Sequence, residues 1–250
     1  MTGDGKRAVQ ATSFGAVAGL YERGRPPYPA GALDWLLPSG ARRVLDLGAG
    51  TGKLTRQLVG RGLDVVAVEP SGGMRRELAR VLPGVPALAG AAEQIPLPDG
   101  SVDAVLVAQA WHWVDPARAV PEVARVLAPG GTLGLVWNIR DERVDWVARL
   151  GRLMHQSGDQ YDESVKPTVG PPFSPVERFD VPWTNHVTLP VLLDMVASRS
   201  YVITMPAADR DILLAEVRRL ATSHPALAGG DGIALPYVTR CSRARRMTPA

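Results

Sequence analysis

Between Arg43 and Trp137 the chain alternates two hydrophobic periodicities, and this alternation leaves very few folds open. Arg43–Leu47 (RVLDL) reads as a short strand ending in glycines. Thr51–Arg61 follows as a helix with Leu54, Leu58 and Val59 apolar. Asp64–Val68 is a second strand, and Met74–Leu82 a second helix with Met74, Leu78, Val81 and Leu82 on one side. Val85–Ala89 is a weak third strand. Val102–Ala108 is a fourth, nearly continuous in apolar residues, as a strand covered on both faces should be. Pro116–Leu127 reads as a helix, and Pro129–Gly131 turns into a fifth strand, Thr132–Trp137. Strands alternating with helices of about a dozen residues imply right-handed crossovers and an open parallel sheet.

After Asn138 the rhythm changes. Asp141–Met154 is an amphipathic helix carrying Val144, Val147, Leu150 and Leu153, and a polar stretch, Gln156–Pro175, follows it. Phe179–Leu189 reads as a strand, Pro190–Ala197 and Ala207–Ala221 as helices, and Gly232–Thr239 as a closing strand. The last segment, Arg240–Ala250, is arginine-rich and is expected to fray. A chain of 250 residues suffices for one sizeable α/β domain with an added lobe, or alternatively for two small domains. Lys+Arg 28 against Asp+Glu 25 is too even to argue for nucleic acid by itself. The single cysteine, Cys241, excludes an internal disulfide and any multi-cysteine metal site, so no metal is expected. The longest charge-free runs, Ala8–Tyr21 and Val126–Ile139, fall short of the roughly 18 residues that span a bilayer. Ala8–Leu20 follows Lys6 and Arg7 as a leader would, but Gln10, Thr12 and Ser13 make it too polar. A soluble, cytoplasmic protein with no membrane partner is expected.

The string that carries chemistry is Val44-Leu45-Asp46-Leu47-Gly48-Ala49-Gly50-Thr51-Gly52, where the first strand turns into the first helix. Glycines there let the backbone pass close under a ligand and present N–H groups at the helix start. A phosphate-cradling loop needs glycine five residues before Gly52, where Leu47 stands, and Ser or Thr where Leu54 stands. A dinucleotide fingerprint needs its third glycine at Lys53. What remains is Asp-x-Gly-x-Gly-x-Gly, with Lys53 an exposed first-turn residue.

Asp46–Gly52 (DLGAGTG) resembles the first motif of class I S-adenosylmethionine-dependent methyltransferases. The resemblance continues at Glu69, the acid ending the second strand, through Ala89–Asp103 (AGAAEQIPLPDGSVD) and Arg125–Gly131 (RVLAPGG), and covers about positions 41–138. The flanks Tyr21–Pro29 (YERGRPPYP) and Gln109–Trp113 (QAWHW) are similar to the small-molecule branch that includes trans-aconitate methyltransferase-like proteins of the methyltransferase type 11 group. The resemblance implies a Rossmann-like, seven-stranded, mostly parallel sheet flanked by helices within a single domain, 1–250. Residues 1–40 would form an N-terminal cap, 41–138 the cofactor core, and 139–175 a lid insert after the fifth strand. Residues 176–250 would complete the sheet with a hairpin whose seventh strand is antiparallel.

The same resemblance assigns S-adenosylmethionine to Asp46, Gly48, Ala49, Gly50, Gly52, Glu69, Pro70, Ala92, Glu93, Ala108 and Gln109. This cofactor lacks phosphates, so the glycine loop needs no Lys or Ser partner. Asp46 would accept from the ligand ammonium through a network or water, and Glu69 would take both ribose hydroxyls, having two acceptor oxygens. Ala91 stands where many relatives place an Asp that holds the adenine amino group; that task passes to the Ala92 N–H and Glu93. Strand-end carbonyls at Ala108 and Gln109 would face the cofactor's amino group.

His112 is either a general base or a histidine packed between Trp111 and Trp113, and both readings stand. Trp111 and Trp113 alternate, so one is expected to face the cleft and the other the core. Amino-group methyltransferases of DNA and protein carry Asn/Asp-Pro-Pro-Tyr/Phe at this site; here it reads Ala-Gln-Ala-Trp. Arg25, Arg140 and Arg199 border segments that could rim the cleft, where arginine forks match carboxylates. With Tyr28, Trp111 and Tyr201 they complete the expected acceptor set. Trp137, Trp146 and Trp183 read as core or lid anchors. The expected activity is methyl transfer to a small organic molecule carrying a carboxylate, by a monomer or weak dimer. Two other readings are a methyltransferase-fold protein directed at RNA or protein through Arg240–Arg246, and an NAD-dependent dehydrogenase, which Lys53 disfavours.

Overall fold

The computed structural model describes residues 25–155, 167–227 and 232–247. Among them, seven strands form one sheet: β1 (Arg43–Leu47), β2 (Asp64–Val68), β3 (Ala87–Leu88), β4 (Val102–Ala108), β5 (Leu127–Arg140), β6 (Glu177–Val187) and β7 (Ile233–Arg245). Their order is β3-β2-β1-β4-β5-β7-β6. The pairs β1·β2, β1·β4, β2·β3 and β4·β5 are all parallel. Strand β7 runs against β5, because the Arg246 N–H reaches Gly131 O at 2.8 Å while the Asp141 N–H reaches Pro236 O at 3.0 Å. The sheet is therefore mostly parallel with an antiparallel strand near one edge, as the resemblance implied. The order reverses between β1 and β4, which is where open α/β sheets bind ligands.

The helices are α1 (Ala30–Leu36), α2 (Lys53–Val59), α3 (Gly72–Val81), α4 (Pro116–Val126), α5 (Asp145–His155), α6 (Leu189–Ala197), α7 (Ser200–Ile203) and α8 (Ala207–Ser223). Their starts are chemically marked. Ser71 accepts from the Met74 N–H at α3, and Asp115 caps α4 ahead of Pro116, whose fixed φ suits a first helical turn.

Two compact units divide the chain. The first holds Pro27–Asn138, Val165–Val181 and Thr239–Ala250, and the second Met1–Pro26, Ile139–Ser164 and Pro182–Val238. In the first, Leu33 and Leu36 of α1 pack with Leu54 and Leu58 of α2 against Val44, Leu106 and Val136 of the sheet. In the second, Trp146, Val147 and Leu150 of α5 pack with Leu192 and Met195 of α6, Val217 of α8 and Tyr237. Trp146 is a core residue there, and the half-buried Trp183 stacks on Tyr237 at 5.4 Å and packs against that core. No helix of the described residues is long and apolar enough to cross a membrane.

Several sequence expectations need correction. Arg240–Arg245 does not fray but continues β7. Arg243 donates to Glu177, lies over the Trp35 ring at 4.2 Å and donates to Trp35 O; Arg246 donates to Leu127 O. These partners are distant in sequence, so the string reads as a tail only when taken alone. Strand β5 starts at Leu127 rather than Thr132. Val102 pairs with Leu127 and Ala104 with Thr132, so the Pro129–Gly131 segment bulges from a continuing strand instead of preceding it. Trp111–Trp113 forms a 3-10 turn, not an alternating strand. Helix α5 begins at Asp145, later than Asp141, and the third strand shrinks to Ala87–Leu88. Lys53 is half-buried at the start of α2 rather than exposed. Helix α1 lies within the segment read only as a cap. The leader-like run Ala8–Leu20, Tyr21–Gly24, residues 156–166 of the segment expected as a lid insert, and the last three residues lie outside the described residues.

Candidate cofactor site

The site in the first unit is built from the loop between β1 and α2. Gly48, Gly50 and Gly52 have φ of 73, 57 and 89°, a left-handed region that side chains rarely adopt. A Cβ on Gly48 would lie 2.9 Å from the Ala110 Cβ, so the loop also passes too close to the end of β4 for any side chain. The Gly48 and Ala49 N–H groups both donate to Val68 O, at 2.8 and 3.2 Å. These bonds tie the glycine loop to the end of β2, where Glu69 follows.

Glu69 is buried, and backbone holds its carboxylate from two sides. Oε2 accepts from the Gly50 N–H at 3.0 Å and Oε1 from the Ser71 N–H at 2.8 Å. Each oxygen keeps a further lone pair, so the group is aimed and still able to accept two hydroxyls. Burial raises its pKa above the usual carboxylate value, opposed by those two N–H bonds. Arg75, unnoticed in the sequence, braces the same corner by donating to Glu69 O at 2.6 Å and Pro70 O at 2.8 Å.

Asp46 is fully buried on β1. Its Oδ2 accepts from the Thr55 hydroxyl of α2 at 2.6 Å, whereas Oδ1 is buried with no hydrogen-bond partner. Burial pushes its pKa up to about 7; bonding from Thr55 opposes the shift and the Glu69 charge adds to it. The orphaned oxygen and the glycine cradle are features that a cationic, phosphate-free ligand would complete. The residues present thus fit S-adenosylmethionine.

In the loop after β3, where adenine contacts were expected, Ala92 is buried and Glu93 half-buried. One Glu93 oxygen accepts from the Asp115 N–H at 2.8 Å. The loop carrying them is pinned by Arg125, another residue the sequence reading did not single out as functional. All five of its N–H groups are engaged: by both Glu122 oxygens, Asp99, Leu97 O and Ile95 O, at 2.7–2.9 Å. Arg125→Lys is expected to lower stability by about 1–3 kcal/mol in a denaturant titration, because an ammonium offers three donors and no fork. A midpoint equal to that of the parent would show the fork to be dispensable.

Gln109 follows β4 with φ of 58°, the single positive φ outside glycine among the described residues. Its side chain donates to Asn138 O at 3.4 Å. Asn138 in turn donates to Pro27 O and accepts from the Thr239 hydroxyl at 2.6 Å. Tyr28 is buried in the core of the first unit, with its backbone N–H and C=O both clasped by the Gln57 side chain of α2. Trp111 is buried and its indole N–H has no hydrogen-bond partner; Trp137 is likewise buried. His112 is half-buried with its ring 4.7 Å from that of Trp113. Ala108 is half-buried and Pro70 exposed. Arg25, Arg140, Arg199 and Tyr201 belong to the second unit. Among the described residues, no group of three or more His, Cys, Asp or Glu could hold a metal ion.

Comparison with known proteins agrees with this geometry. A family described as a methyltransferase domain matches residues 45–135. An uncharacterised methyltransferase of Mycobacterium bovis is 61% identical over 238 residues, 95% of this chain and 97% of the relative. A methyltransferase-like protein of Schizosaccharomyces pombe is 33% identical over 88% of this chain and 90% of its own length. A solved methyltransferase structure from Anaeromyxobacter dehalogenans superposes with a TM-score of 0.62 at 26% identity, covering 90% of this chain and 99% of that one. Glycine loop, strand-end acid, strand order and relatives agree: the chain belongs to the class I S-adenosylmethionine-dependent methyltransferases.

Proposed function

We propose that the protein transfers a methyl group from S-adenosylmethionine to a small organic molecule carrying a carboxylate. The observation that carries the cofactor half is Glu69, held between the Gly50 and Ser71 N–H groups with one lone pair open on each oxygen. Bound there, the cofactor supplies a methyl made electrophilic by its sulfonium. The chain's task is then to align donor and acceptor and to exclude water. Asp46 supplies a buried negative charge for the ligand ammonium, Glu69 accepts the ribose hydroxyls, and Ala92 and Glu93 meet the adenine. Pro70, Ala108 and Gln109 line the strand ends. Gly48, Ala49, Gly50 and Gly52 let the backbone approach.

For the acceptor we take Trp111 and His112 from the first unit, where Tyr28 is a core residue, and separately, in the second unit, Arg25, Arg140, Arg199 and Tyr201 as the candidates for binding a carboxylate. The unsatisfied Trp111 N–H is a donor awaiting an oxygen. A macromolecular acceptor lacks its motivating feature: Arg240 lies within 4.0 Å of Asp180, Arg243 pairs with Glu177, and Arg246 donates to Leu127 O. A homocysteine-release assay across a metabolite library tests the reading, and activity confined to RNA or protein would overturn it. On any hit, His112→Ala and Arg199→Ala separate two chemistries. A carboxylate is already an anion and needs no base, so if it is the methylated group Arg199→Ala lowers the rate more. A hydroxyl, amine or carbon acceptor reverses the order.

A further inference from the structure

Two buried indole N–H groups of the first unit lack a hydrogen-bond partner. Trp111 follows β4 and Trp137 lies near the end of β5; each is more than nine-tenths buried, and its Nε1 meets no acceptor. The two strands are neighbours, paired as far as Ala108 and Val136, and the Gln109 N–H then donates to Val136 O at 2.9 Å. Both tryptophans thus stand at adjacent strand ends, just past that last bond. The positive φ of Gln109 turns the chain here, and Ala110 lies against the glycine loop, its Cβ 2.9 Å from where a Cβ on Gly48 would be. Val136 packs on the sheet face that carries α1 and α2, so alternation sends Trp137 to the opposite face. The turn holding Trp111 runs into α4, and right-handed crossovers put α4 on that opposite face, because β5 and β2 flank the β1·β4 pair on different sides. A buried N–H without an acceptor is destabilising, and a phenyl ring would fill apolar space without one.

We propose that Trp111 and Trp137 bind an enolisable carbonyl group of the methyl acceptor, next to the atom that receives the methyl. The inference rests on the methyl-transfer reading and adds to it the chemistry of the acceptor. An indole N–H only donates, so its partner is an acceptor, and a carbonyl oxygen has lone pairs for two donors. Both donors are neutral, so they suit an uncharged oxygen in a buried place better than a full anion, whose desolvation they do not offset. The bonded oxygen is not the atom methylated, because donation to it withdraws the electrons that attack requires. On an enolisable carbonyl the same donation helps. As the acceptor's proton leaves to solvent and its electron pair forms the bond to the methyl carbon, negative charge builds on the carbonyl oxygen, where two fixed donors stabilise it. The carbon–sulfur bond breaks with its pair left on sulfur. A neutral acceptor and a sulfonium thereby become a methylated acceptor, a thioether and a proton.

Nitrogen-15 NMR of the full chain, with signals assigned through bonds, reads the indole N–H groups of its six tryptophans directly. Without a probe, the Trp111 and Trp137 signals should lie upfield of hydrogen-bonded indoles. Acetylacetone, an enolisable carbonyl compound, should move both downfield, and the same titration should show it binding at least ~5-fold tighter than acetone or propionate. Trp111→Phe and Trp137→Phe should each weaken acetylacetone by about 5-fold or more. A tryptophan with a purely structural role would lower the melting point of its Phe variant and leave acetylacetone affinity unchanged. Where a variant does not fold, the signals of the parent chain decide. Downfield signals before any probe, signals that acetylacetone does not move, propionate binding as tightly as acetylacetone, or folded Phe variants that bind it like the parent would each overturn the proposal. S-adenosylhomocysteine binding, measured in the same preparations, reports on the cofactor reading separately: acetylacetone bound at both indoles without it would remove that reading and leave the carbonyl site.

Discussion

Glu69→Gln is expected to lower the affinity for S-adenosylhomocysteine by at least about 100-fold. Hydrogen bonds to a charged acceptor are worth roughly 1.5–3 kcal/mol each, and the carboxylate is positioned to make two of them with ribose hydroxyls. Glutamine fills the same space, yet it cannot substitute. Its amide nitrogen would face either the Gly50 or the Ser71 N–H, which now reach Glu69 at 3.0 and 2.8 Å, and would set donor against donor. The loop would then have to move, and the glycine cradle with it. Glu69→Ala should lose binding to a similar degree, because it leaves both N–H groups without their acceptor. Calorimetry measures the loss, and a melting curve confirms that each variant is folded. Affinity within about threefold of the parent in both variants would remove Glu69 from the site.

The parallel half of the sheet was legible because its strands carry their own signal. Val102–Ala108 is buried on both faces and so reads as an unbroken apolar run, and its observed bounds match the sequence expectation. The glycine loop was legible for a related reason: three positive-φ positions demand glycine whatever lies around them. Beyond β5 the signal weakened. Strand β7 carries arginines whose partners lie far away in the chain, with Arg243 reaching Trp35 O across 208 positions and Glu177 across 66. No local pattern encodes such pairs. Helix α1 was missed because Pro29 caps it without a side-chain bond and no acid marks its first turn.

Within the site, the residues that touch ligand in this reading were visible, but those that aim them were not. Thr55 and Gln57 sit on α2 as ordinary helix residues, and only the fold turns one toward Asp46 and the other toward Tyr28. Arg125 lies inside a recognisable motif, yet its five bonds go to Glu122 and to the stretch Ile95–Asp99, a geometry that spacing alone does not announce. Charge states were equally hidden. Asp46 stands in the sequence as an ordinary acid, and only its complete burial reveals that it titrates near neutrality.

That titration gives the remaining prediction. A carboxyl whose pKa rises from 3.8 unfolded to about 7 folded holds its proton more tightly in the folded chain. Its contribution to stability is therefore fully present below pH 3.8, declines as pH rises through the interval to 7, and levels off above it. With each pKa unit worth 1.36 kcal/mol, the decline amounts to about 4 kcal/mol in the ligand-free protein. Asp46→Asn should flatten this part of the melting profile, since an amide does not titrate while its oxygen can still accept from Thr55. Ligand binding should run the other way. A cationic ammonium favours the ionised carboxylate, so affinity for S-adenosylhomocysteine should rise as pH increases from 6 to 8, by up to about tenfold per unit below the pKa. Binding near pH 7 should release protons, which calorimetry detects as a dependence on the ionisation heat of the buffer. The asparagine variant should lose affinity and proton release together. Proton uptake on binding, or a melting profile of the same slope in both proteins, would show that Asp46 is neither the titrating group nor the ammonium's partner.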